Sequence, residues 1–404
     1  MKVLYYFTSG FDTPNPSYHL MDAMIEDTLK SGIDVHMISS HITGENPDVP
    51  EHFKNYSNFT YDIVKYNNVN KHSFVKRYFS GIKYALDCSK YIKRVQDYDV
   101  IYVQSCPTAL YNVLIAKWYA KKRPVIYSVQ DMFPGSSIYS GIMPQKWMQN
   151  IFYGLQRIAY NSADCITVIS EDMKNKVIEQ NVPITKIETI VNWFDDRTVK
   201  EVSWKDNRFV KKYDLSNDKF YVQYAGTMGY VFDYKMVRAV AELLKDYDDI
   251  LFQMIGQGSQ KKAFMEEREK RGLENIIFYP LEPQNMVSDV YSTCSICLIP
   301  LKKGIIGNSV PSKAGLLMAC NRAIVNSVDS DSDYYRIFNE YEMGISVPND
   351  DPQAVADAIL ELYKNKEKLE QFAKNGHEYG KRYYSRSENI NRLIKLFSGI
   401  TSRP

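Results

Sequence analysis

Lys313 stands just after Pro311 and Ser312, where LIPLKKGIIGNSVPSKAGLLMACNRAIV passes from a strand-like run through a glycine-containing loop into an apolar helical segment. Proline suits the first turn of a helix, whose leading amides have no partner within the helix, and a cation beside them makes a place for a diphosphate. A lysine there opposes the helix macrodipole, a small cost that a bound anion removes. The alternative is a capped structural helix with a solvated lysine. Other glycine turns are of the same kind. Gly10, in TSGFDTPNPSYHL, lets the backbone approach a ligand, and Ser17 is placed to cap the following helix. Gly226 and Gly229 in QYAGTMGY, like Gly256 and Gly258 in MIGQGSQ, follow strand-like runs and precede helices; each also reads as an ordinary tight turn. GxxG lacks the full GxGxxG spacing, and no acidic residue is clearly placed about 20 residues on, so a nicotinamide site is disfavoured.

Asp131 sits in a turn ahead of Pro134, where its carboxylate can orient or deprotonate a hydroxyl or simply cap the turn. Asp329, Asp331 and Asp333 alternate in VDSDSDYY, a spacing that in another setting binds a metal. Here the run leads into a helix, whose N-terminus favours acidic residues, so no metal is expected. Cys294 and Cys297 have CxxC spacing within the strand-like STCSICLIP, without a second cysteine pair or nearby histidine, and are expected as buried thiols. In NKHSFVKRYFSGIKY the cations Lys71, Lys76, Arg77 and Lys83 interleave with Phe74, Tyr78, Phe79 and Tyr84, and KWYAKKR brings Lys121 and Lys122 beside another aromatic pair. Such mixtures suit an anionic membrane interface, or else a solvated helix with its aromatic stripe in the core.

The elements that must position these residues fall into two series. In the first, KVLYYF, DVHMIS, VIYVQS, PVIYSV and CITVIS read as buried strands. Helical patterns lie between them near 17–30, 74–95, 108–121, 146–161 and 171–180. A polar, strand-poor stretch from about Phe194 to Lys219 interrupts the rhythm. The second series, FYVQYAG, ILFQMIG, IIFYPL, SICLIP, AIVNSV and MGISVP, alternates with helical YKMVRAVAELLKDY and AVADAILELYKN. This β-α-β rhythm predicts an α/β fold of two Rossmann-like parallel-sheet domains, with ligands at the carboxyl ends of the strands. The expected divisions are 1–200, 201–375 and a helical segment 376–404 packing at the domain junction.

A chain of 404 residues accommodates two such cores. Fifty basic and 48 acidic side chains leave a net charge of +2, which gives no sign of a nucleic-acid partner. Six scattered cysteines fit a reducing compartment. The short apolar start ends at Thr8 and Ser9, and no apolar run approaches the ~20 residues that cross a bilayer, so a cytoplasmic protein is expected.

With these residues in view, the second series resembles the donor half of family-4 retaining glycosyltransferases. SVPSKAGLLMACNRAIVNS is similar to the "PSK...E.MA.G.PV" segment of the branch that builds capsule, O-antigen and exopolysaccharide repeats; QYAGTMG, MIGQGS and GISVPNDDPQAVADAI match in order, and YSVQDMFPGSSIYSGIM resembles that branch's first-domain "DxxP.S...G". The resemblance implies a GT-B fold, with two domains facing across a cleft and C-terminal helices returning to the first. It implies a nucleotide diphosphate sugar, of the UDP-sugar kind, bound by the second domain without a metal or other cofactor. Gly256 would lie near the nucleotide, Thr227, Gly229, Ser312 and Lys313 near the diphosphate, Asn308 and Asp333 near the sugar side, and Gly10 would help from the first domain. Lys313 would clamp the leaving group and Asp131 would face the acceptor hydroxyl. The acceptor implied is a lipid-linked glycan, which places Lys76, Arg77, Lys121 and Lys122 at the inner face of the plasma membrane. One departure stands out: the family's paired glutamates, separated by seven residues, fall on Asn308 and Leu316. Loss of a charged hydrogen bond to a ribose costs ~1.5–3 kcal/mol, so a catalytically silent partner subunit is the alternative. A nucleotide-sugar epimerase on the same fold is a further one.

Overall fold

The buried strand runs assemble into two separate parallel sheets. The computed structural model describes residues 1–11, 18–41, 48–66, 74–95, 97–139, 143–308, 311 and 313–402. Two units result, Met1–Val191 with Asn389–Pro404, and Asn192–Glu388. The dividing point thus lies nine residues before the expected 200/201 boundary, and the 376–404 segment is shared between units.

The first unit contains β1 (Lys2–Tyr6), α1 (Tyr18–Lys30), β2 (Asp34–His41), β3 (Phe59–Lys65), α2 (Phe74–Arg94), β4 (Val100–Gln104), α3 (Ala109–Ala120), β5 (Val125–Val129), α4 (Gly135–Tyr139), α5 (Lys146–Ser162), β6 (Cys165–Val168), α6 (Glu171–Ile178) and β7 (Ile187–Thr189). Its strands run parallel in the order β3-β2-β1-β4-β5-β6-β7. The inner strands are the apolar runs seen in the sequence, because both faces of a parallel sheet are covered. The two edge strands carry weaker signals. In β3 only Val64 is fully buried, and β7 has three residues.

The second unit contains α7 (Arg208–Tyr213), β8 (Phe220–Ala225), α8 (Tyr234–Leu243), β9 (Ile250–Ile255), α9 (Lys261–Lys270), β10 (Ile276–Tyr279), α10 (Val287–Tyr291), β11 (Ile296–Pro300), α11 (Lys313–Ala319), β12 (Ala323–Val328), α12 (Asp333–Glu340), β13 (Gly344–Pro348), α13 (Pro352–Lys364) and α14 (Lys366–Tyr383). Its parallel order is β10-β9-β8-β11-β12-β13. The final helix, α15 (Arg386–Thr401), begins in this unit and continues into the first, where Phe397 lies 6.1 Å from the rings of Tyr5 and Tyr102.

In each sheet the strand order reverses direction once, between β1 and β4 and between β8 and β11. The helices that follow the two central strands diverge to opposite faces there, which leaves a crevice at the strands' carboxyl ends where doubly wound folds bind ligands.

Candidate active site

At the reversal point of the second unit, β8 is followed by Gly226 and β9 by Gly256, and the two turns pack backbone to backbone. The Met228 amide donates to the Gln257 carbonyl at 2.8 Å and the Gly226 amide to that of Ile255 at 2.9 Å. A Cβ on Gly256 would sit 2.0 Å from the Gly226 oxygen, and one on Gly258 2.3 Å from that of Met228. These glycines are therefore required by the close approach of two loops. Lys261, which the sequence did not single out, reinforces the turn by donating from Nζ to the Gly256 carbonyl at 2.8 Å. Thr227 is exposed and Gly229 half-buried beyond it.

Lys313 opens α11 and reaches under the first of these turns. Its Nζ lies 3.4 Å from the centroid of the Tyr224 ring and 3.0 Å from where a Cβ on Gly226 would project. Among the described residues no carboxylate pairs with it. Burial pushes its pKa down from 10.5 to about 8, with the neighbouring Cys297 acting weakly in the opposite direction. An ammonium partly withdrawn from water against an aromatic face, with no carboxylate partner among the described residues, is an electrostatic deficit that an anion would satisfy. α11 is positioned from behind by α14: a Cβ on Gly380 would come within 2.7 Å of Met318 Cβ, and His377 Nδ1 lies 2.9 Å from the Met318 carbonyl. Ser312, expected beside Lys313, lies outside the described residues, as do Ser17 and Lys71.

The loop between β11 and α11 is organised by Asp329. Its carboxylate accepts from the Gly304 amide at 2.7 Å and the Ile306 amide at 3.2 Å. Asn308 is buried and donates to the Gly304 carbonyl at 3.1 Å, so its amide nitrogen closes a turn. Leu316 packs with the apolar cluster around Leu317 and Met318. Asp333 begins α12 and pairs with Arg336 at 3.0 Å. Lys302, missed in the sequence, lies 4.9 Å from the Tyr230 ring centroid beside the Gly229 turn; its signal was its place directly after β11. Cys294 and Cys297 are buried free thiols, and burial raises the pKa of Cys297 to about 12.

The first unit has its own cavity at its reversal point, about 710 Å³, bounded by Thr8 and Ser9 after β1 and by Gln104 and Ser105 at the end of β4. Ser9 Oγ donates to Gln104 Oε1 at 2.9 Å, tying the two strand ends together, and buried Gly10 follows directly. Arg77 and Tyr78 at the start of α2 complete the wall, so Arg77 belongs to a pocket as well as to the basic-aromatic segment. Asp131 is exposed just past the end of β5 and does not line this cavity. Gly81 lets α2 approach the start of α3: a Cβ there would lie 2.6 Å from Thr108 Oγ1 and 2.7 Å from its Cγ2. Gly81→Val is expected to cost ~1–3 kcal/mol by overpacking, measurable as a lowered denaturant midpoint; Thr108→Ala in the same chain should recover part of the loss.

Lys76 of α2 and Lys121 and Lys122 just past α3 are exposed, and α3 packs against both α2 and α5. Large apolar side chains are exposed on the same helices, among them Phe79 at 65%, Trp118 at 80% and Trp147 at 64%.

Two parallel-sheet units, each with a site at its reversal point, are the architecture of the GT-B transferases. Solved structures agree over the whole chain: sucrose-phosphate synthase from Thermosynechococcus elongatus, with a TM-score of 0.73, 14% identity and 99% of each chain covered, and HepE from Anabaena in complex with UDP, with a TM-score of 0.70, 14% identity, 99% of this chain and 100% of that one. The chain is a GT-B glycosyltransferase. Its first half, residues 20–198, matches Glycosyltransferase Family 4, and its second, residues 205–379, matches Glycosyl transferases group 1. Among curated relatives, a probable glycosyltransferase of Pseudomonas aeruginosa, WbjE, is 27% identical over 74% of this chain and 75% of its own length. A putative colanic acid biosynthesis glycosyl transferase of Escherichia coli, WcaI, is 24% identical over 41% of this chain and 40% of its own.

Proposed function

We propose that the second unit holds a nucleotide diphosphate sugar, of the UDP-sugar kind, and that the sugar passes with retention and without a metal to a lipid-linked glycan in surface polysaccharide assembly. The observation that carries this is the ammonium of Lys313 under the Gly226 turn, which no carboxylate among the described residues compensates. Glycosyl transfer places negative charge on the departing β-phosphate, and a preplaced cation stabilises that charge more in the transition state than in the bound donor. Thr227 and Gly229 in the same turn would present backbone amides to the diphosphate, and Gly256 would border the nucleotide. Asn308 and Asp333 would act towards the sugar through whatever capacity their structural bonds leave. From the first unit, Asp131 would orient or deprotonate the acceptor hydroxyl, with Gly10 at the edge of the same strand ends. The UDP bound by the Anabaena fold relative supports the choice of nucleotide.

Peripheral attachment to the inner face of the plasma membrane is part of the proposal. No described helix is long and apolar enough to cross a membrane. Exposed Phe79, Trp118 and Trp147 beside Lys76, Lys121 and Lys122 supply instead the mixture of apolar and cationic groups that adheres to an anionic surface.

Leu316 and the hydrogen-bonded Asn308 favour a second reading, a GT-B subunit that positions an active transferase without catalysing. Calorimetric titration with UDP and a panel of nucleotide sugars, coupled to a donor-hydrolysis assay, separates the two. Binding with slow hydrolysis of one donor is expected for the transferase, and silence towards all of them leaves the scaffold.

A further inference from the structure

Within the first unit the cavity between β1 and β4 has one cationic side chain among the described residues of its wall, the exposed Arg77, together with several hydroxyls. Thr8, Ser9, Ser105 and Thr108 come from the strand ends and the start of α3, and Tyr66 and Tyr78 line the same space. Among the described residues that line the space none is acidic. Among the described residues none makes an ion pair with Arg77, although Lys83 and Arg94 of the same helix are paired with Asp87 and Asp62. Arg77 lies near enough to Tyr66 to work against the rise that burial imposes on that hydroxyl's pKa. An arginine with no carboxylate partner among the described residues, in the wall of a recess of about 710 Å³ that also carries hydroxyls, matches a ligand that brings its own negative charge and several acceptor oxygens.

We infer that this cavity is the subsite for the phosphate or diphosphate of the acceptor, with Arg77 as the residue that grips it. The inference rests on the transferase reading for the word acceptor, and on the cavity alone for the anion. A phosphate accepts charge-assisted bonds from the guanidinium fork and further bonds from nearby hydroxyls, whereas a neutral glycan offers the guanidinium only uncharged acceptors. α2 carries Arg77 into the recess while Val75, Phe79 and Leu86, spaced four and seven residues apart, remain exposed on its opposite side. One helix thus joins an anion subsite to an apolar outer surface, as an amphiphilic phosphate requires.

Calorimetry on the full chain tests this with undecyl diphosphate as the probe, in the presence and absence of saturating UDP. Binding by the wild type is expected to survive UDP, to weaken tenfold or more in Arg77→Gln, and to recover in part in Arg77→Lys. Undecyl glucoside, uncharged, and methyl glucuronide, a carboxylate, should bind at least tenfold more weakly than the diphosphate. The inference is overturned if the wild type does not bind the probe, if UDP displaces it, if Arg77→Gln binds it unchanged, or if the glucuronide binds better. Thermal melting of each variant guards against misfolding. Failure of UDP itself to bind would remove the transferase reading and leave the Arg77 result to stand or fall separately.

Discussion

Lys313→Ala is expected to lower transfer by two to three orders of magnitude, the loss seen when one preorganised charge or donor is taken from a developing anion, ~3–4 kcal/mol. The same position should behave oppositely towards stability. Lys313 pays for its placement with a pKa lowered from 10.5 to about 8 by burial, a shift that amounts to about 3 kcal/mol as an upper estimate at ~1.36 kcal/mol per unit. Lys313→Met, which keeps the side-chain volume without the charge, should therefore be more stable than the wild type at pH 7 in denaturant titrations, while losing activity. The sign of the pH dependence follows from the lowered pKa. Below about 8 both folded and unfolded chains carry the proton and the full penalty is present. Between about 8 and 10.5 the unfolded chain binds more protons than the folded one, so wild-type stability rises with pH relative to the methionine variant and the gap closes. Donor affinity runs the other way. A diphosphate restores the charge, and UDP should bind more weakly as the pH rises through about 8, by up to tenfold per unit. A stability gap that stays constant from pH 7 to 10.5, or a UDP affinity flat across that range, would refute this account of Lys313.

Gly256→Ala is expected to be the most damaging single-methyl change near the site. The added Cβ would lie 2.0 Å from the Gly226 oxygen, and the residue's φ of +133° is one that L side chains rarely adopt. The clash is with backbone, so no rotamer change relieves it. The β8 and β9 turns would have to separate, breaking the bonds that hold Met228 and Gly226 in place. A loss of at least ~3 kcal/mol is the expected scale for strain of this kind in a packed loop, read as a lowered midpoint for the second unit. Gly272→Ala is the control. Gly272 also has positive φ, +61°, but a Cβ there meets nothing within 4 Å, and the cost should be ~1 kcal/mol. If the two variants melt alike, the close approach of the loops is not what position 256 demands. The two glycine experiments also separate structure from binding: damage at Gly256 will lower UDP affinity through the Gly226 turn even if no atom of Gly256 touches the nucleotide.

Much of the architecture is visible along the chain because parallel strands are buried on both faces. KVLYYF, PVIYSV and AIVNSV are mostly apolar runs, and each is a strand of the structure at nearly the expected limits. β3 and β7 escape detection for the complementary reason. An edge strand is covered on fewer sides, and FTYDIVK alternates polar and apolar residues without a run. The glycine turns and Lys313 are marked by type and by position after strands. Their partners are not: Lys261, Lys302 and Asp329 are ordinary charged residues in sequence, and only the fold brings them to the Gly226 and Gly304 loops.

Periodicity and turn chemistry alone thus determined two α/β series, their glycine-rich turns and the lysine at the head of α11, because these are local properties of the chain. What tertiary structure decided was which strand ends meet. The orders β3-β2-β1-β4 and β9-β8-β11-β12 place Ser9 beside Gln104 and Gly226 beside Lys313, across 95 and 87 residues respectively. Strand order is set by how whole apolar faces bury one another, a sum over the entire unit that no local stretch encodes. For that reason the chemistry of Lys313 could be suspected from its neighbours in sequence, while its partial burial, its lack of a carboxylate partner among the described residues and the pocket beside Arg77 belong to the folded molecule.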